Sequence, residues 1–391
     1  MKIAKKAVAA LLATGILATA TGCSDMSWSF KDDKNTLSIG TYIYYMAGAY
    51  SYAQSEAQSN STTEAATTAD GATEATEPID VLGATISDED GNEITGRDYI
   101  LNTAEQSCKT LIYTLEKFDE LGLSLSSGEQ AEIDNLATQG WSYSGSAYET
   151  LGVSEDSYSL AYAEFSAKYE AVFKALYGEG GEMEVTDDEL EEYYTSNYVD
   201  YSYIPINLYK TAESTDDDSD SSSSTTEALS DDEIKEIQEQ MDEYSEQLSN
   251  GEQTFDEVDE AFMEWQSLDS STATTAQELL DNSSAPQDII DAVKELENNK
   301  ATVITVGEDD TAIMYLVYRG DINEYTSNLD DEDTRYSVLT NMKKDEYNDY
   351  MDEQGSKLEV EVNEAALGRY TPEELENKMK ELEAQSASSE A

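Results

Sequence analysis

From Ala285 to Arg319 the sequence reads APQDIIDAVKELENNKATVITVGEDDTAIMYLVYR, a short helical pattern followed by two strand-like runs. The runs Thr302 to Val306 and Thr311 to Tyr318 are rich in β-branched and aromatic residues, a composition typical of strands. Gly-Glu-Asp-Asp joins them as a hairpin. A helix followed by an edge hairpin cannot bury its own apolar face, so this unit must pack on an earlier part of the chain.

The earlier partner is predicted to be the strand-like segment Tyr201 to Lys210, YSYIPINLYK. Pro205 lacks an N–H group, which predicts that this strand lies at a sheet edge or carries a bulge. Capping-box patterns at Ser230 and Thr254 start helices between the two β regions. We therefore expect one sheet, formed by segments about a hundred residues apart and covered by the intervening helices.

Upstream, three amphipathic helices are predicted to start at Thr95, Ser126 and Ser154, which indicates an α-helical domain. The second is expected to end near Gly140. Cys108 falls within the apolar stripe of the first, so we interpret it as a core residue rather than a nucleophile. The aromatic residues of the third helix are typical of a core, but on a lobe that binds unfolded chains they would also suit a groove.

The N-terminus has a basic start, an uncharged run and small residues before Cys23, the pattern of a secretory signal. Ala20-Thr21-Gly22 before Cys23 resembles a bacterial lipobox, which implies that Cys23 is lipidated after cleavage. The alternative is an ordinary signal followed by an incidental cysteine. The lipobox reading predicts a protein anchored at the extracytoplasmic face of a bacterial membrane.

The formal net charge is −63 over 391 residues, and it becomes −66 once the signal, with three lysines and no carboxylate, is removed. Nucleic acid and anionic membrane surfaces are poor partners for such a chain, because their binding needs clustered Lys and Arg. The sequence has no His, so Ser-His, Cys-His and zinc catalysis lack their usual base or ligand. We expect no metal, no cofactor and no catalytic residue.

Several polar stretches are predicted to lack a stable fold, because they have too few apolar residues to offset the entropy of ordering. They are an anchor spacer over 23–37, an insertion over 54–80, an acidic loop over 211–229 and a tail over 385–391. The acidic loop would at most collect cations loosely. Asp90-Gly91 suits a hairpin turn between two short strands better than an EF-hand, whose spacing it lacks.

The order of these segments resembles the parvulin-type extracytoplasmic foldases, the SurA-like and PrsA-like lipoproteins. The resemblance rests on the lipobox, on VTDDELEEYYTSNY at 185–198, on LSNGEQTFDEV at 248–258, on 285–319 and on the long helix after Asp331. It implies an α+β fold, with a mainly helical chaperone lobe over 38–184 that C-terminal helices over 323–384 complete. A small parvulin-like α/β module with an antiparallel sheet is expected over 185–322.

The family carries two histidines in this module, and the matching positions here are Ile206 and Ile313. The resemblance therefore implies a degenerate module that binds unfolded secreted polypeptides, with Tyr203, Trp265 and Met314 as candidate client-binding residues. An active peptidyl-prolyl isomerase is the first alternative, because proline isomerisation needs no covalent step. A solute-binding lipoprotein is the second, although that class needs repeated βαβ units.

Overall fold

A computed structural model describes residues 27–65, 79–88, 91–212 and 225–389. The chain divides into two compact units, Met1–Glu184 with Asp345–Ala391 and Val185–Lys344. The predicted lipidation site Cys23 and the signal lie outside the described residues. Within the ranges that the structure describes, no helix is both long enough and apolar enough to cross a membrane.

The first unit begins with a strand pair and a long helix. Its elements up to residue 177 are β1 (Trp28–Lys31), β2 (Thr36–Ser38), α1 (Ile39–Ala65), β3 (Thr85–Ser87), β4 (Glu93–Thr95), α2 (Gly96–Glu120), α3 (Ser127–Leu151), α4 (Glu155–Ser159), a π-helical turn (Leu160–Glu164) and α5 (Phe165–Tyr177). The predicted hairpin around Gly91 is confirmed by the antiparallel pairing of β3 with β4.

Two of the segments predicted to be unstructured are ordered here. The spacer prediction is wrong from residue 28, because β1 pairs with β2 and both Phe30 and Leu37 are buried. The Asp32 carboxylate makes the turn by accepting hydrogen bonds from the Lys34 and Asn35 amides. The insertion prediction is wrong for residues 54–65, which continue α1. Ala53 and Ala57 extend its buried face; residues 66–78 lie outside the described ranges.

The helix starts follow local capping chemistry. Thr95 Oγ accepts a hydrogen bond from the Asp98 amide, and Ser126 forms a full capping box. The predicted end of the second helix near Gly140 is wrong, since α3 continues to Leu151. Gly140 does not end the helix. It allows Tyr158 to pack closely against α3, because a Cβ at position 140 would collide with the Tyr158 hydroxyl.

The second unit contains a four-stranded sheet and the helices around it. Its elements are α6 (Asp187–Asn197), β5 (Tyr198–Asn207), β6 (Tyr209–Ala212), β7 (Thr225–Ala228), α7 (Asp231–Asn250), α8 (Phe255–Gln266), β8 (Thr274–Leu279), α9 (Gln287–Glu295), β9 (Lys300–Val306), β10 (Ile313–Arg319) and the first part of α10 (Glu332–Ser356). Short 3-10 turns span Leu280–Asn282, Asp309–Thr311 and Ile322–Asp330.

The sheet order is β8-β5-β10-β9, and every pairing is antiparallel. Met314 lies opposite Ile206 on one side and Thr305 on the other. The prediction that the Pro205 segment and the later hairpin form one sheet is therefore confirmed. Capping boxes at Ser230 and Thr254 start α7 and α8 as expected, and a third, at Thr186, starts α6.

β5 is an inner strand, between β8 and β10, and its register with β10 has no bulge, so the predicted edge position holds only locally, at Pro205. The Leu208 amide donates to the Ala312 carbonyl, so the even-numbered residues of β5 form the backbone hydrogen bonds with β10. Pro205 is odd-numbered, and its nitrogen, which carries no hydrogen, therefore faces the β8 side. β8 stops opposite Tyr203, so Pro205 removes no ladder bond. β8 lies in a stretch for which the sequence predicts neither a helix nor a strand.

Both ends of the predicted acidic loop are ordered. β6 and β7 pair antiparallel, with Tyr209 opposite Ala228. This β-ribbon includes residues 211, 212 and 225–228. The prediction that they belong to a loop without a stable fold is therefore wrong. Thr211 lies opposite Thr226, and such β-branched residues favour strand pairing. The acidic residues 213–224 lie outside the described part of the chain.

The remaining elements return to the first unit. They are the end of α10, β11 (Glu361–Val362), α11 (Glu364–Leu367) and α12 (Pro372–Ser389). β11 pairs with β1. The tail prediction is wrong for residues 385–389, which continue α12. With helices in both units and small antiparallel sheets, the predicted α+β, mainly helical fold class is confirmed.

Candidate functional site

The two faces of the second unit's sheet are closed by different apolar clusters. Ile206, Met314 and Leu316 pack with Met241 and Phe262 on one face. The cluster on the opposite face contains Tyr201, Tyr203, Tyr315, Val317, Ile289 and Val293. Successive residues of a strand alternate between faces, which explains this division.

The two positions matched to the parvulin histidines do not share a face. Ile206 belongs to the cluster that contains Met314, whereas Ile313 packs with the cluster on the other face. The register places Met314, not Ile313, opposite Ile206. Both positions are aliphatic, and their side chains lie in apolar clusters.

The three candidate client-binding residues are not brought together on one surface. Met314 is 1% exposed and packs inside the sheet unit. Trp265 borders the same cluster, with its ring edge-on to Tyr244 and Phe262. Tyr203 is half-buried on the other face.

One buried carboxylate lies at the end of this sheet. Asp200 is 5% exposed, and Gln277 Nε2 donates to it at 2.6 Å. Burial raises the pKa of Asp200, and the nearby Glu324 and Asp321 carboxylates add to the effect. Gly320 passes so close to the carboxylate that a Cβ there would collide with it. Asp200 thus links β5 to Gln277 of β8 and packs against Gly320.

The first unit contains an open cavity of about 490 Å³. Such a volume is within the range of sites that hold small molecules or peptide side chains. It is lined by nine residues from four helices, which are Tyr45, Ser107, Thr110, Phe165, Tyr169, Asp345, Asn348, Asp349 and Asp352.

One wall of this cavity is polar and lies on α10. Asp345, Asn348, Asp349 and Asp352 are spaced at i, i+3, i+4 and i+7, which places them on one face of the helix. Asp345 and Asp349 are exposed. Among the described residues, neither forms an ion pair or accepts a side-chain hydrogen bond. Three carboxylates therefore face one cavity, and two of them are uncompensated.

The third carboxylate is held in place by α2. Thr110 Oγ1 donates to Asp352 Oδ1 at 2.6 Å, and Gln106 Nε2 donates to the Asp352 carbonyl at 2.7 Å. Gly355 is buried, and a Cβ there would lie 3.0 Å from the Thr110 amide nitrogen. The glycine thus lets the end of α10 approach α2 closely enough for these hydrogen bonds.

The opposite wall is aromatic. Phe165 and Tyr169 of α5 have ring centroids 5.2 Å apart, and Tyr45 of α1 lies edge-on to Phe165 at 6.5 Å. The Tyr169 hydroxyl donates to Asn348 Oδ1 at 2.9 Å, and Tyr347 donates to the Tyr169 carbonyl at 2.7 Å. These bonds tie the aromatic wall to the acidic wall.

Burial raises the pKa of both Tyr45 and Tyr169 well above the usual value. The nearby Asp352 carboxylate adds to the effect on Tyr169. Both phenols are therefore neutral at physiological pH, and their hydroxyls remain donors. The cavity presents neutral ring faces on one side and negative charge on the other.

Only half of this cavity is predicted from the sequence. Phe165 and Tyr169 belong to the third predicted helix, whose aromatic residues suit either a core or a groove. The carboxylates of α10 are not predicted as part of a site, although their spacing at 345, 349 and 352 is visible in the sequence. Cys108, predicted to be a core residue, is fully buried on α2, and burial raises the pKa of its thiol.

In the described part of the chain, no group of three or more Cys, Asp or Glu side chains is arranged to hold a metal ion. The carboxylates of the cavity are thus not gathered around one point. They extend along a helix, and this arrangement suits an extended ligand better than an ion.

Comparison with known proteins gives likeness only to solved structures. No family model and no curated protein matches the sequence. The foldase protein PrsA from Streptococcus pneumoniae is 15% identical, with a TM-score of 0.33, over 74% of this chain and 99% of that chain. PrsA from Lactococcus lactis is 15% identical, with a TM-score of 0.31, over 69% and 89%.

A third similar structure is PrsA from Bacillus subtilis, which is 16% identical with a TM-score of 0.26, over 72% of this chain and 95% of that chain. The chain resembles PrsA-type foldases.

Proposed function

We propose that this chain is a membrane-anchored extracytoplasmic folding factor that binds unfolded secreted polypeptides without efficient prolyl isomerase catalysis. The observation that carries the proposal is the open cavity of about 490 Å³ in the helical unit, with an aromatic and a carboxylate wall. An unfolded chain exposes apolar and charged side chains next to one another, and a cavity with both kinds of wall suits such a ligand.

The proposed anchor is a lipid attached to Cys23, inferred from the lipobox pattern. It would keep the folding factor beside newly exported chains. The dense negative charge favours a soluble, self-repelling body, which limits association between anchored copies.

The absence of isomerase catalysis is inferred from the sheet unit. Ile206 and Met314 face each other within an apolar cluster, so no polar side chain at these positions can polarise a proline carbonyl. The alternative of a solute-binding lipoprotein is not supported, because all the sheets that the structure describes are antiparallel.

The proposal is tested with the mature protein and a chemically denatured secreted client. We expect the protein to suppress light scattering by the aggregating client at near-equimolar ratio and to bind a fluorescent unfolded polypeptide. The variant Phe165→Asn, which puts a neutral polar side chain on the aromatic wall, should lose most of this activity. Circular dichroism checks that the variant is folded. Mature protein that neither suppresses aggregation nor binds the polypeptide would contradict the proposal.

A protease-coupled proline assay separates the chaperone from the isomerase alternative. We expect no acceleration above the uncatalysed rate. Acceleration that the substitutions Tyr203→Phe, Trp265→Phe or Met314→Leu abolish would instead assign an active site to the sheet unit.

A further inference from the structure

The cavity of the first unit has a charge imbalance that its own lining does not neutralise. Its carboxylates come from Asp345, Asp349 and Asp352, and none of its lining residues is Lys or Arg. One lysine of α2 and one of α5 are paired with glutamates one helical turn earlier in the chain. Lys109 pairs with Glu105 and Lys168 pairs with Glu164, each at 2.7 Å.

We propose that this cavity takes the side chain of an arginine or lysine of a client polypeptide, so that the protein selects basic segments of unfolded chains. The inference rests on the proposed function and names the substrate class of the same site. The cation would lie between the rings of Phe165 and Tyr169 and the carboxylates of α10.

Both walls favour such a cation, for different reasons. The face of an aromatic ring attracts ammonium and guanidinium groups, and the attraction strengthens where water is excluded. Carboxylates form charge-assisted hydrogen bonds with the same groups, and a guanidinium binds them in a bidentate manner. A neutral side chain of equal size gains only the contact with the rings.

A polypeptide fits the cavity better than a free cation does. The carboxylates extend along two turns of α10. An extended polypeptide can therefore contact several of them at once, through its basic side chain and through the residues next to it. The aromatic wall offers area for the apolar stem of the basic side chain and for an adjacent residue.

The experiment compares two unstructured fluorescent peptides that differ only by arginine against citrulline, which has nearly the same shape and no charge. Fluorescence anisotropy at 150 mM salt, where the Debye length is about 8 Å, suppresses long-range attraction by the rest of the protein. We expect the mature protein to bind the arginine peptide about tenfold more tightly than the citrulline peptide.

The decisive variant is Asp345→Asn/Asp349→Asn, which removes two charges from exposed positions without changing side-chain size. We expect it to weaken the arginine peptide about tenfold and to leave the citrulline peptide within about twofold. The matched control is Glu132→Gln/Glu149→Gln, which removes two exposed charges from α3. The control should bind both peptides as the parent protein does.

A second variant, Phe165→Leu, keeps an apolar wall and removes the ring face. It should reduce the preference for arginine over citrulline about threefold, because the cation–π attraction is lost while burial remains. Equal weakening of both peptides would assign Phe165 a packing role only and would count against the cation site.

Three outcomes would overturn the inference. Equal binding of the arginine and citrulline peptides leaves the proposed chaperone function intact and removes the charge selection. Equal effects of the α10 and α3 substitutions show general electrostatic attraction instead of a site. Free arginine amide that competes as strongly as the whole peptide makes the occupant a small cation. If neither peptide nor any unfolded client binds, the proposed function itself fails.

Discussion

The two units of this chain differ in the packing of their side chains. In the sheet unit, apolar clusters close both faces of the β8-β5-β10-β9 sheet, and the positions matched to catalytic histidines are filled by Ile206 and Ile313. In the helical unit, the meeting of α1, α2, α5 and α10 leaves a cavity with charged and aromatic walls. This difference is why we propose that peptide binding belongs to the helical unit and that the sheet unit is a packed body.

The largest effect that tests this comparison comes from truncating one fully buried leucine in each unit. Leu316→Ala in the sheet unit and Leu111→Ala in the helical unit should each lower the free energy of unfolding by about 3 kcal/mol, the usual cost of a leucine-sized cavity. Only Leu111→Ala should also weaken the arginine peptide, because Leu111 lies on α2 next to Thr110, which lines the cavity.

Urea denaturation measures the first quantity and anisotropy the second. Hydrogen exchange with mass spectrometry shows which unit becomes less protected. If Leu316→Ala weakened peptide binding as much as Leu111→Ala does, the sheet unit would take part in binding and the contrast between the units would be wrong.

The elements that the sequence predicted well depend on local contacts. The capping boxes at Thr186, Ser230 and Thr254 satisfy helix N–H groups with side chains three residues apart, so four residues suffice to recognise each. The pairing of β5 with β10 is a long-range contact, yet it was also predictable. Both segments are apolar runs that need a pairing strand, and the chain has few other strand-like runs.

The elements that it missed depend on distant partners. β8, TTAQEL, has little strand character of its own, and it is a strand because β5 offers an unpaired edge from Tyr198 to Tyr203. The candidate cavity was missed for the same reason. Its carboxylates look like a solvated helix face until α5 and α2, about 180 and 240 residues away in the sequence, are placed opposite them.

An intermediate effect is expected from removing one buried hydroxyl in each unit. Thr110→Val deletes the donor to Asp352, and Ser202→Ala deletes the hydrogen bond between Ser202 and Thr275 at 2.9 Å. Each should cost about 1 kcal/mol of unfolding free energy. Thr110→Val should also weaken the arginine peptide about threefold, because the released carboxylate must be immobilised again on binding.

Ser202→Ala is the matched control and should leave peptide affinity unchanged. Calorimetric titration of both variants with the same peptide gives the comparison. An unchanged affinity in Thr110→Val would mean that Asp352 does not contact the ligand, and the cation would then be assigned to Asp345 and Asp349 alone.

The smallest effect concerns Asp200, the buried carboxylate of the sheet unit. Because burial raises its pKa in the folded protein above the ordinary value of 3.8, the folded state holds this proton more tightly than the unfolded state does. The resulting stabilisation is complete below pH 3.8 and is lost as the pH rises through the raised value. At neutral pH the ionised carboxylate is thus a net cost to the sheet unit.

Asp200→Asn removes that cost while it keeps a partner for Gln277. The variant should gain stability relative to the parent as the pH rises from about 4 to 7, and the gain should level off above the raised pKa. Capping carboxylates such as Glu233, with a pKa lowered to about 2 by Lys210 and Ser230, make total stability fall in acid. The difference between variant and parent must therefore be followed, by urea denaturation at each pH. A difference that is constant with pH would show that Asp200 titrates as an exposed carboxylate does, and it would contradict the account of Asp200 as a buried charge that destabilises the sheet unit at neutral pH.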